Sequence, residues 1–237
     1  MQTYRYETHM HTLEGSACAH NTGAEMAAAY SSAGYAGIVV TNHFYYGNTA
    51  VDRRLPWEAW VEEFCKGYEN ARTEGEKTGL SVFFGWESNY KGTEFLIYGP
   101  DKDWLMKHPE IRDASIEEQL KLVHEAGGIV VHAHPFRKES YIPSVRLFPE
   151  LVDGVEAVNA THSSPRSISH KDPEFNKKAE DYARKNGLFM TAGSDGHNTI
   201  MLGGGMEFAR ECRDIWELIQ AMKESLAVRL LDGSELS

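Results

Sequence analysis

The sequence predicts an α/β fold closed into a barrel, on three observations. Strand-like and helix-like segments alternate along the 237 residues, the pattern of a parallel sheet covered by helices. Residue types that bind metals gather at the C-terminal ends of the strand-like runs, where barrel folds carry their sites. They come from first, middle and last strands alike. An open sheet would hold its edge strands too far apart for them to meet, so a closed or distorted barrel follows.

Tyr4 to His9 reads as the first strand. Thr22 and Glu25 have capping-box spacing, so a helix starts there and stops at Gly34. Gly37 to His43 is a buried strand ending in a histidine, and Pro56 to about Thr78 is a long amphipathic helix with proline near its first turn. Leu80–Glu87 and Glu94–Tyr98 are strands. Ser115 with Glu118 repeats the capping box, and that helix stops at Gly127-Gly128. Ile129–His134 is a strand halted by Pro135, and Val155–Asn159 a shorter one. A helix runs from Pro173 to about Gly187, a strand from Leu188 to Ser194, a last long helix opens at Asp214 with Glu217, and a final strand covers Ala227–Leu231.

The length suits one large domain spanning 1–237, and 41% apolar residues can fill a sizeable core. No repeat, low-complexity tract or linker interrupts it. No apolar run approaches the roughly 20 residues of a membrane span. The segment from Met1 to Glu7 is polar and lacks an apolar signal core, so no membrane partner and a cytoplasmic location are expected. Cys18, Cys65 and Cys212 are far apart and form no CxxC pair, which reads as reduced, structural thiols rather than disulfides or a zinc knuckle. A net charge of −11 disfavours stable nucleic-acid binding. Several divalent cations in one cleft would reverse the local field, so an anionic substrate stays open. Oligomeric state is not legible.

Three triplets carry the chemistry: His9-Met10-His11, His132-Ala133-His134 and Asp195-Gly196-His197. In an extended strand, i and i+2 share a face, so each triplet can aim two metal-capable groups at one point. With His43 and Glu87 at two more strand ends, the set suggests a multinuclear metal site. Imidazoles and carboxylates together suit Zn, Mn or Fe. Two-metal hydrolytic sites use such ligands at about 3.5–4 Å metal separation. Cysteine is absent from this cluster, which favours a catalytic over a closed structural site.

The ordered motifs Glu7-Thr8-His9-Met10-His11-Thr12, Thr41-Asn42-His43, Gly85-Trp86-Glu87, Ala133-His134-Pro135-Phe136-Arg137 and Gly193-Ser194-Asp195-Gly196-His197 resemble those of the PHP (polymerase and histidinol phosphatase) family, from residue 4 to about 200. The resemblance implies a distorted (β/α)7 TIM-like barrel holding two or three divalent metal ions. By motif, His9, His11, Glu87 and Asp195 would hold one metal. Glu87 would bridge to a second, also bound by His134, and His43 and His197 would hold a third. Three positions depart from the pattern. Asn42 replaces an aspartate that orients its neighbours. Glu94 stands where relatives place a ligating histidine and is expected to ligate. Glu14 and His20 both lie where a further ligand of the third metal is expected; the resemblance favours Glu14, and His20 is otherwise a substrate contact.

Arg137 is expected to clamp phosphate through its bidentate fork. His162 reads as a ligand of the second metal or a general acid, and Asn159 as a substrate contact. His132 shares a strand face with His134 by alternation and reads as a hydrogen-bonded cleft histidine. His108, His124 and His170 read as structural or solvated, and Tyr45, Tyr46 and Trp57 as either mouth-lining or packing residues. The leading expectation is hydrolysis of a small phosphomonoester by metal-activated hydroxide, histidinol-phosphatase-like. A nuclease or nucleotide phosphodiesterase, and a non-catalytic metal-binding domain, are the alternatives.

Overall fold

A computed structural model describes residues 2–235; Met1 and the last two residues of the expected 1–237 unit lie outside the described residues. Nine strands and seven α-helices follow in the order β1 (Tyr4–Met10), α1 (Gly23–Ser32), β2 (Gly37–Val40), α2 (Trp57–Thr78), β3 (Ser81–Tyr90), β4 (Thr93–Tyr98), α3 (Lys102–Lys107), α4 (Ile116–Glu125), β5 (Ile129–Ala133), β6 (Gly154–Asn159), α5 (Ala160–Ser163), α6 (Pro173–Asn186), β7 (Phe189–Gly193), β8 (Gly204–Phe208), α7 (Ile215–Lys223) and β9 (Ala227–Asp232). A 3-10 turn at Pro109–Arg112 joins α3 to α4.

The sheet order is β7-β6-β5-β4-β3-β2-β1-β8-β9. It nearly closes, because Met10 forms a parallel bridge to Gly196 just beyond β7. His11 N donates to Gly196 O at 2.8 Å and Gly196 N to His9 O at 3.3 Å. Seven strands thus form the ring. β8 lies antiparallel against the N-terminal half of β1, and β9 against β8. The ring has the seven strands expected of the barrel; β9 is the strand expected at Ala227–Leu231, and β8 is the one addition to the eight strands read from the sequence. β8 escapes sequence reading because it starts Gly204-Gly205 and has no β-branched residue.

The sheet is not wholly parallel. β4 pairs antiparallel with both β3 and β5. The cause is local: only Lys91 and Gly92 separate Tyr90 from its partner Thr93, and both have positive φ, 55° and 83°. A two-residue connection of that kind can join only antiparallel neighbours.

Helix ends follow the sequence. Thr22 and Ser115 form complete capping boxes. Asp214 accepts from Glu217 N. Gly34, Gly79 and Gly187 take left-handed φ just past their helices. The long helix α2 buries Trp57, Trp60, Val61, Phe64 and Cys65 on one stripe, the i, i+3, i+4 repeat of a core-facing helix. Trp60 stacks on Phe64 with centroids 4.7 Å apart, and Phe44 and Trp86 complete that aromatic cluster. No helix among the described residues is long and apolar enough to cross a membrane.

Candidate metal centre

Buried carboxylates meet imidazoles at the C-terminal mouth of the ring. His9 and His11 stand at the end of β1, His43 beyond β2, Glu87 within β3, Glu94 near the start of the antiparallel β4, His134 just past β5, and Asp195 and His197 just past β7. Three donor groups here are His9/Glu87/His134, His9/His11/Asp195 and His11/His43/His197, each with one ligand atom per residue and all within 4.8 Å; His43/Glu87/Glu94 is a fourth.

The donor spacing fits shared cations. Two ligands each 2.0–2.2 Å from one metal stand about 3.0–3.5 Å apart in octahedral or tetrahedral geometry. His9 Nε2 lies 3.4 Å from Glu87 Oε1 and 3.5 Å from Asp195 Oδ1. His11 Nε2 is 3.2 Å from Asp195 Oδ1 and 3.2 Å from His9 Nε2. His134 Nε2 is 3.0 Å from the same Glu87 Oε1. His43 Nδ1 approaches Glu87 Oε2 at 2.7 Å, yet both atoms are buried without a hydrogen bond of acceptable geometry. A cation would take both lone pairs. Glu7, Glu87, Glu94, Glu156 and Asp195 are all buried, and unpaired buried carboxylates are costly. The residues present therefore fit divalent cations.

Neighbours fix the rings. His9 Nδ1 is 2.8 Å from Glu156 Oε1, His11 Nδ1 is 3.1 Å from Ser16 Oγ, and His197 Nδ1 is 2.8 Å from the Asp195 carbonyl. With Nδ1 engaged, Nε2 is left for a metal. Glu156 Oε2 also accepts from His134 N. Glu7 accepts from the backbone N of His9 and of Ser194, and from the Tyr30 hydroxyl; burial raises its carboxyl above the usual range against these bonds. Glu87 goes the other way: burial opposes its charge, but His9 and His43 outweigh it and hold the carboxyl well below the usual range. His134 and Asp195 have φ of 26° and 49°. Such left-handed conformations are strained for side chains with a Cβ and concentrate at functional sites.

That left-handed turn also breaks the alternation expected of His132 and His134. His132 is on β5 proper and packs against Phe95, centroids 5.1 Å apart, away from the cluster. Burial pushes its pKa down to about 3. Asn42 Oδ1 accepts from Thr12 N at 2.7 Å and from Ser16 Oγ at 3.1 Å, so it orients the loop that contacts His11.

Four expected roles meet other geometry. Glu14 turns away from the cluster: its carboxylate accepts from Gly23 N, at the start of α1, and from Asn70 Nδ2. Asn159 is fully buried and spent, accepting from Thr161 N and donating to Glu156 Oε2, so it has no free group for substrate. His162 is buried in α5 outside the donor groups, with Nδ1 on Asn176 Oδ1 at 2.8 Å. Burial pushes its pKa down to about 4, so it is neutral near pH 7 and lacks the proton of a general acid. Glu94 reaches the cluster but accepts from Arg137 at 2.6 Å and from Asn89 at 2.6 Å. Arg137 in turn reaches Asp195 Oδ2 at 3.1 Å, leaving its buried Nε unpartnered.

A cavity of about 600 Å³ opens above the cluster, lined by His43, Glu94, Arg137, Asp195 and His197, with His20, Cys18 and His170 on its walls. Arg137 is the only Lys or Arg among the lining residues. Tyr46 and Tyr141 also line it and are exposed, whereas Tyr45 and Trp57 are packed into the aromatic cluster. His108 and His124 pair with Glu110 and Asp153 outside the site. Sequence reasoning missed Glu7, Glu156, Ser16 and Cys18. Glu7 was findable, since Glu7, His9 and His11 alternate at i, i+2, i+4. Glu156 and Ser16 meet the cluster only through tertiary closure.

Comparison with known proteins adds three findings. Residues 173–225, from α6 to the end of α7, match the PHP-associated family PHP_C. No curated protein matches the sequence. Among solved structures, the chain is similar to a two-domain protein from Bacteroides vulgatus ATCC 8482, described as containing a PHP-like metal-dependent phosphoesterase (TM-score 0.69, 15% identity, 95% of this chain). This chain spans 64% of that protein's length. It is also similar to a protein from Bifidobacterium adolescentis ATCC 15703 described as a metal-dependent phosphoesterase (TM-score 0.54, 14% identity, 92% of this chain and 95% of that one). A third is an amidohydrolase from Chromobacterium violaceum with bound sulfate and no metal (TM-score 0.59, 16% identity, 92% and 96%). At these identities the likeness shows a shared fold. The family match is thus confined to residues 173–225, and the solved structures share the fold of the chain.

Proposed function

We propose that this PHP-family chain is a metal-dependent phosphoesterase acting on a small phosphomonoester. One observation carries the reading: His9, His11, Glu87, His134 and Asp195 converge at metal-sharing distances, and Asp195 also lines a cavity that holds the Arg137 guanidinium. Two or three divalent ions would be held there, His9, His11, Glu87 and Asp195 around one, Glu87 and His134 around a second, His43 and His197 around a third. When bound, such cations neutralise phosphate charge and lower the pKa of water towards about 7.

The chain's own groups do the rest. Glu87 offers Oε1 towards His9 and His134, and Oε2 towards His43, so one carboxylate serves neighbouring positions. Glu156, Ser16 and the Asp195 carbonyl hold imidazoles in the ligating orientation. Arg137 braces Glu94 and Asp195 and supplies positive charge beside the phosphate position. His20, exposed on the cavity wall, would contact the substrate.

A single Lys or Arg among the lining residues supports a small ester over a polynucleotide, since nucleic-acid affinity rests on many basic contacts to phosphates. The test is phosphate release from a phosphomonoester panel by protein reconstituted with Zn, Mn or Fe, with single-stranded oligonucleotide as comparator. Release from the small esters alone supports the reading. Oligonucleotide cleavage without phosphate release, or no turnover with any metal, overturns it.

A further inference from the structure

Tyr46, Tyr141 and Ile168 are large apolar side chains that the fold leaves exposed, at 60%, 56% and 92%. All three line the cavity above the metal centre, together with His43, Arg137 and Asp195. They reach it from separate connections: Tyr46 follows β2, Tyr141 follows β5, and Ile168 lies between α5 and α6. Exposed apolar side chains that gather at one mouth mark a binding groove.

Tyr46 is fixed in place. Gly47 N donates to Phe44 O at 2.7 Å, closing a turn with Tyr45 and Tyr46 at its tip. Arg53 clamps that turn, donating from Nε to Tyr45 O at 2.5 Å and from Nη2 to Gly47 O at 2.6 Å. Tyr45 packs into the aromatic cluster, and the Tyr46 ring stands at 81° to it with centroids 5.1 Å apart. The Tyr46 hydroxyl donates to Asp113 Oδ1 at 2.5 Å. With its hydroxyl engaged, Tyr46 offers the cavity ring surface rather than a hydrogen-bonding group. The lining carboxylates among the described residues are Glu94 and Asp195, and Arg137 engages both. Neither is left to pair with an ammonium on a substrate.

We propose that Tyr46 is the stacking platform for the leaving group, and that the substrate is a small aromatic phosphomonoester with no charge on its ring. The phosphate lies by Arg137 and the metal centre, and the ring lies on Tyr46, with Tyr141 and Ile168 as the rest of an apolar rim. A tyrosine already fixed in position stacks a planar partner at little entropic cost. The cavity of about 600 Å³ has the size of small-molecule sites. The proposal rests on the phosphoesterase reading above and names its substrate class.

The test is equilibrium binding of phosphonates to zinc- or manganese-loaded protein. These compounds carry carbon in place of the bridging ester oxygen and are not hydrolysed. Benzylphosphonate has a planar ring, cyclohexylmethylphosphonate an apolar ring that is not planar, and ethylphosphonate no ring. Wild type should bind benzylphosphonate most tightly. Tyr46→Ala should weaken benzylphosphonate about 5- to 150-fold and leave ethylphosphonate affinity in place, which also reports a folded site. Tyr46→Phe should keep most of the preference, because ring surface does the stacking. Wild type that binds benzylphosphonate and ethylphosphonate alike overturns the proposal and leaves the phosphoesterase reading standing. So does cyclohexylmethylphosphonate bound as tightly as benzylphosphonate, or equal weakening of all three in Tyr46→Ala. No binding of any phosphonate overturns the proposal, and no phosphate release from the ester panel as well overturns both.

Discussion

His9 Nδ1 and Glu156 Oε1 are 2.8 Å apart, both fully buried, and the opposite edge of the same imidazole faces Glu87 and Asp195. Glu156 thereby sets which nitrogen of His9 carries the proton and which is left to ligate. Glu156→Gln should weaken the tightest metal about 10- to 100-fold, measured by competition with a chromophoric chelator. Glu156→Asp, which keeps the charge on a shorter arm, should recover part of the loss. Unchanged affinity in Glu156→Gln would remove Glu156 from the site.

Arg137 is 7% exposed and paired with two carboxylates. Removing one partner of a buried ion pair costs about 3–5 kcal/mol. Arg137→Ala should therefore destabilise the metal-free protein in denaturant titration. Divalent metal should restore more stability to the variant than to wild type, because cations take over the charge beside Glu94 and Asp195. Activity should fall in Arg137→Lys as well, since ammonium lacks the fork.

His162 provides a pH test. Burial lowers its folded-state pKa from 6.5 to about 4, so the folded state holds the neutral ring. Its contribution to stability is fully present above 6.5 and is lost as the pH falls from 6.5 through about 4. His162→Gln should flatten the fall in stability over that window, seen by denaturation at stepped pH. The same variant should keep its pH–rate profile, whereas a general acid would cost about 10²- to 10⁴-fold.

Gly193 ends β7 against the first strand. A Cβ there would stand 2.4 Å from His9 Cβ and 2.9 Å from Glu156 Oε1. Gly193→Ala should cost about 1–3 kcal/mol through overpacking and lower metal affinity by displacing His9, with calorimetry reading both.

Much of this was legible in the chain. The capping boxes at Thr22 and Ser115 and the strand-end histidines depend on neighbours a few residues away, and local spacing encodes them. The PHP-type barrel followed from ordered motifs, and the shared fold agrees. What spacing misled on was backbone sign. Positive φ at His134 and Asp195 moves their side chains off the alternation, so His132 and His134 part company. The Lys91-Gly92 turn reverses β4 inside a sheet read as parallel. Glu14 and Asn159 were not legible for another reason. Whether a polar side chain is free or already engaged is a tertiary fact: Glu14 accepts from Gly23 N, and Asn159 is engaged by Thr161 and Glu156.

The central claim is that the ring mouth binds catalytic cations through His9, His11, Glu87, His134 and Asp195. Anomalous diffraction from crystals grown with zinc or manganese tests it most directly. The account predicts peaks about 2.0–2.2 Å from His9 Nε2, an Asp195 oxygen and both a Glu87 oxygen and His134 Nε2, all lost in Asp195→Ala or weakened to one. Clear maps with no peak among these residues, in metal-saturated crystals, would contradict it.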